Sequence, residues 1–110
     1  VGTDGAIGAV AVHDDVVKAA VAWAALKVEG VAALAARGAE WRDVPGAMRA
    51  IRLNHDPAGL VLELEVIVRY GIAIPEVAEN VATYVRSAMT NLVGLNPHRV
   101  TIHVVGVEPE

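Results

Sequence analysis

Eleven residues, Leu60 to Tyr70, alternate side-chain character almost without a break, and no other segment restricts the fold as much. Leu60, Leu62, Leu64, Val66, Val68 and Tyr70 fall on one side of an extended chain, while Glu63, Glu65 and Arg69 share the other with Val61 and Ile67. Successive side chains of a strand point to opposite faces, so this run predicts a long strand with one face on a core. The preceding His55-Asp56-Pro57-Ala58-Gly59 is turn chemistry, with Asp before Pro and then Gly. Before it, Met48 to Asn54 alternates with Ile51 and Leu53 on one side and Arg52 on the other, so the two runs predict a hairpin.

The flanking segments have helical spacing. His13-Asp14-Asp15 opens a first helix, with an Asp expected at the N-cap, and Val17, Ala20, Val21, Ala24 and Val28 form its apolar stripe up to Gly30. Gly71 breaks the long strand, and Pro75 suits the first turn of a second helix, where its missing N–H costs nothing. Val77, Val81, Val85, Ala88 and Leu92 make that helix's core stripe; Asn80, Thr83, Arg86, Ser87 and Thr90 make its wet side, and Gly94 ends it. After the Asn96-Pro97 turn, Arg99 to Val107 alternates again with Val100, Ile102 and Val104 inward. Ala6 to Val12 has the length and character of a further strand, Val31 to Ala36 is too short for its period to decide between strand and helix, and Arg37 to Gly46 reads as a connection.

The expected fold is therefore α+β, a two-layer sandwich whose mainly antiparallel sheet carries two helices on one face, in the order β-α-β-β-α-β. A chain of 110 residues is one domain, residues 1–110. Its apolar fraction of 55%, mostly Ala and Val with no Phe, is more than so short a chain hides, so an exposed apolar patch and self-association are expected. The net charge of −4, with Lys18 and Lys27 the only lysines, lacks the basic stripe that phosphate neutralisation needs, which points away from nucleic acid. The absence of cysteine excludes disulfides and thiolate–metal sites and fits a reducing cytosol. The uncharged run Ala19 to Leu26 falls far short of the roughly 18 apolar residues of a membrane span, and no secretory leader is read at the start of the chain.

Chemistry-bearing residues are scarce. His98 and His103 are five apart on or beside a strand and so face opposite sides, His13 and His55 lie at turns, and none forms a helical metal-binding pair. Ser87, the one serine, lies on the wet side of the second helix beside Arg86. Glu63 and Glu65 share a strand face and mimic a catalytic carboxylate pair, but cross-strand pairing with Arg52, Arg69 or Arg99 accounts for them better. Two glycine-x-x-glycine patterns, at Gly2 to Gly5 and Gly5 to Gly8, do not lie between two helices as an RNA-clamping loop would. No catalytic, cofactor or metal residue is assigned. Trp23, seven residues after Val16, reads as core, whereas Trp41 stands in a loop beside Arg42, a pattern that suits an interface anchor and a lid over the core equally. With the apolar side chains of the turn after the long strand, the candidate interface residues are Trp41, Arg42, Tyr70, Ile72 and Ile74.

One ordered set of segments also carries a resemblance. It comprises Val28-Glu29-Gly30-Val31, Tyr70-Gly71-Ile72-Ala73-Ile74-Pro75-Glu76-Val77-Ala78, Val81, Val85, Met89-Thr90, Gly94-Leu95 and Val100-Thr101-Ile102-His103-Val104-Val105-Gly106-Val107. In order and spacing it resembles the bacterial alkaline-shock-protein family of envelope stress response proteins, although Ala73 stands where that family often has Ser or Thr. The resemblance implies a non-enzymatic cytoplasmic protein that self-associates as an assembly or scaffold component. In some relatives a separate membrane-anchored partner protein holds it at the inner face of the cell membrane. It brings no catalytic residues and no cofactor. Two other classes compatible with the element order are a small-molecule-sensing regulatory domain, using the Gly71 to Pro75 turn, and an RNA-binding module.

Overall fold

The computed structural model describes residues 12–109. The elements are α1 (Asp14–Leu26), β1 (Val31–Ala36), β2 (Ala39–Trp41), α2 (Val44–Ala47), β3 (Ile51–Asp56), β4 (Gly59–Arg69), α3 (Ile74–Ala88) and β5 (Arg99–Glu108). A 3-10 turn, Met48–Ala50, extends α2, and a π turn, Met89–Val93, extends α3.

The long alternating run is the centre of the sheet. β4 pairs antiparallel with β3 over its first half, Gly59 to Leu64, and with β1 over its second, Val66 to Val68. Its other edge is taken along its length by β5, which runs parallel to it, and β2 adds to β1 as a short hairpin. Three of the four ladders are antiparallel, as expected, and the parallel one follows from α3 crossing over between β4 and β5. Leu62, Leu64, Val66 and Val68 have no solvent exposure. They form one core with Leu34, with Val17 and Val21 of α1, Ala47 of α2, and Val77, Val81 and Val85 of α3. All three helices thus lie on one face of the sheet.

The expected order and helix number are corrected here. Among the described residues the order is α-β-β-α-β-β-α-β, with three α-helices rather than two. The strand expected at residues 6–12 lies outside the described residues except for Val12. The segment 37–46 is a connection only in part. Arg37 and Gly38, with φ of 51° and 82°, make a two-residue reversal that pairs Ala36 with Ala39, and the side chain of Asp43 accepts from Gly46 N at 2.9 Å to cap α2. The ambiguous run 31–36 is a strand because both of its edges are paired.

Smaller corrections follow from packing. His13, not an Asp, is the N-cap of α1, and it makes no side-chain cap bond. Gly30 does adopt a positive φ, 99°, after α1 ends at Leu26. A Cβ there would stand 2.7 Å from Val77 Cγ2, so glycine lets α3 press onto the α1–β1 turn. Leu92 leaves the core stripe: it lies in the π turn and is 64% exposed, whereas Met89, four residues after Val85, is fully buried. Tyr70 lies one residue past the strand and is exposed instead of continuing the apolar row.

Candidate interaction surfaces

The five residues singled out as an interface divide by environment. Trp41 is half-buried against the core, and its indole lies across Gly46, where a Cβ would collide with Trp41 Cδ1. It is a lid over α2 rather than an exposed anchor. Arg42, the next residue, reaches over the sheet to β5, with Nη2 donating to Glu108 Oε2 at 2.7 Å although β1 and β4 lie between the two strands. Glu108 also stands 3.8 Å from Arg69, the neighbour of Tyr70. This ion-pair chain brings Arg42 to the end of the sheet that carries the β4–α3 loop. In that loop Tyr70 and Ile74 face solvent, while Ile72 turns inward and packs on the core.

A second surface lies on the helical layer. Trp23 of α1 and Tyr84 of α3 are both about half exposed and, with Ala88 and Leu92, line an apolar groove of about 410 Å³ between the two helices. Lys27 Nζ stands 4.9 Å from the centre of the Trp23 ring, a cation–π contact that keeps the indole at the surface. Assigning Trp23 to the core missed this. The available signal was its flank position on the stripe, beside a lysine four residues on.

The face of the sheet opposite the helices is polar at its centre. Arg52 of β3 sits between Glu63 at 3.2 Å and Glu65 at 3.3 Å, the cross-strand pairing expected of those carboxylates. His103 Nε2 lies 3.8 Å from Glu63. Where β1 and β3 part along the same edge of β4, Arg37, Arg49, Arg52, Trp41 and Glu65 border a cleft of about 590 Å³. Ser87 Oγ accepts a bond from Asn91 Nδ2 at 3.2 Å and meets no histidine. Among the described residues no group of three His, Asp or Glu side chains could hold a metal ion. What these surfaces present is apolar area and ion pairs, the materials of recognition.

The family model of the alkaline shock protein 23 family, described as having a cell envelope-related function, matches residues 2–109. The chain belongs to this family. It is a family of non-catalytic proteins of the cell-envelope stress response, so the resemblance read from the Tyr70–Gly71 break, the Pro75 helix start and the Val104–Val107 ending holds. The chain is also similar to an uncharacterized protein, YqhY, of Bacillus subtilis (strain 168), at 25% identity over 106 residues, covering 93% of this chain and 78% of that protein. No solved structure matches it significantly. Among the described residues no helix is long and apolar enough to cross a membrane.

Proposed function

We propose that this member of the alkaline-shock-protein family is an assembly domain of the cell-envelope stress response, acting through self-association and protein–protein contacts. The observation that carries the proposal is the grouping of large apolar side chains in solvent: Trp23, Tyr84 and Leu92 in one groove, Tyr70 and Ile74 in one loop. Scattered exposed apolar residues are ordinary, but clustered ones mark interaction sites. The domain works in the cytoplasm and reaches the inner face of the membrane through a membrane-anchored partner protein, without inserting itself. Recognition of RNA finds little support, since the open sheet face places Glu63 and Glu65 where stacking aromatics would be needed.

Light scattering over a concentration series tests the reading, with an expected mass that rises above one chain as concentration increases. A strict monomer at high concentration would overturn self-association. Replacing Trp23 and Tyr84 together with Ser should weaken protein–protein contact while leaving the fold intact, since both side chains are about half exposed and neither belongs to the buried core.

A further inference from the structure

Among the described residues β5 pairs with β4 alone, so the outer edge of the ten-residue strand Arg99 to Glu108 has a row of backbone donors and acceptors with no strand partner among those residues. Two features of this edge point to a specific occupant. The first is its charge: Arg99 stands at one end and Glu108 at the other. Residues nine apart on a regular strand face opposite sides, but here they share one. The β4–β5 register shifts by one residue between Val66 and Ile67, so that Arg99 lies opposite Val61 and Glu108 opposite Arg69, eight apart on β4. The second feature is the row alternation this bulge preserves. Arg99, Thr101, His103 and Glu108 lie on the open face, and Val100, Ile102, Val104 and Val107 lie on the helical face.

We infer that β5 is the pairing edge for the β5 of a second copy, antiparallel and two-fold symmetric about His103. This rests on the assembly reading above and adds a self-association surface separate from the groove and the loop. In that register Arg99 of each copy meets Glu108 of the other, Val100 meets Val107, Ile102 meets Val104, and the bulged Val105-Gly106 opposes Thr101. Every pair falls on a common face, which a strand without the bulge cannot achieve while also joining the two charged ends. Glu108 is already steadied by Arg42 and Arg69, so its carboxylate is held at the sheet surface, and Arg99 has no acidic partner among the described residues. Val107, 46% exposed on the helical face opposite Val68, is covered by Val100 of the second copy. Two five-stranded sheets become one, and the bulge, which in a monomer would blunt an edge, here fixes the register.

The chain has no cysteine, so single thiols report the geometry cleanly. His103→Cys should form a covalent dimer with itself on oxidation or with a short bismaleimide, because the two copies of residue 103 face each other on the axis. Arg99→Cys should not, since its own copies would be about 26 Å apart at ~3.3 Å per residue. Val100→Cys mixed with a differently tagged Val107→Cys should yield the heterodimer, with each alone giving only background. Cross-linking of H103C at background level while light scattering still shows oligomers would overturn the edge pairing and leave the assembly reading intact. A monomer in both measurements would overturn both. Cross-linking of R99C as strong as that of H103C would also overturn the register, pointing to unspecific collision.

Discussion

The two faces of β4 are built from adjacent residues and do different work. On the helical face Leu62, Leu64, Val66 and Val68 are sealed from solvent by three helices. On the other face Glu63 and Glu65 hold Arg52 across to β3, and Arg42 bridges to Glu108, all within reach of water. On the open face Ile67 is buried with Ala32, Ala33 and Ala35 as a small satellite cluster, and Val61 is buried further along the same row. One row therefore supplies stability, and the other supplies a charged, water-facing surface.

The comparison can be broken most directly at neighbouring positions. Leu64→Ala removes a fully buried side chain from the middle of the core and should cost about 2–5 kcal/mol in chemical denaturation. A loss below ~1 kcal/mol would mean that the helical face is loosely packed. An intermediate effect is expected at the rim of the same core. Gly46→Ala drives a methyl into Trp41 and should cost about 1–3 kcal/mol, with a shift in Trp fluorescence as the indole is displaced. The smallest effect belongs to the open face: Arg52→Ala breaks two ion pairs at once, yet at an exposed site this should amount to about 0–1 kcal/mol and shrink further in high salt. A larger loss there would show that the ion pairs hold the hairpin together and that the division between the faces is not real.

Much of this architecture was legible because it is local. The β3–β4 hairpin follows from Pro57, Gly59 and two alternating runs, and α3 follows from Pro75, its stripe and Gly94. The β2 hairpin was not legible, because its reversal places Arg37 at a positive φ that arginine does not advertise. The candidate surface was half legible. Tyr70 and Ile74 sit next to a strand-breaking glycine and could be placed in a loop, and they do face solvent. Trp41 was open between anchor and lid, because an aromatic beside Arg42 in an apparent connection suits either until Gly46 is seen to make room for it. The groove of Trp23, Tyr84 and Leu92 was hidden, since it depends on α1 packing beside α3, two segments distant in the chain.

By itself, the sequence determined the period of each main element, the turn between β3 and β4, the absence of thiol chemistry and the family. These are written in neighbouring residues, through side-chain alternation, proline and glycine geometry and composition. Tertiary structure alone decided that β5 joins β4 in parallel with a bulge, that Trp41 faces inward and Trp23 outward, and that Arg42 reaches Glu108 across two strands. Each of those depends on contacts between segments distant in the chain, where burial and pairing outweigh local preference.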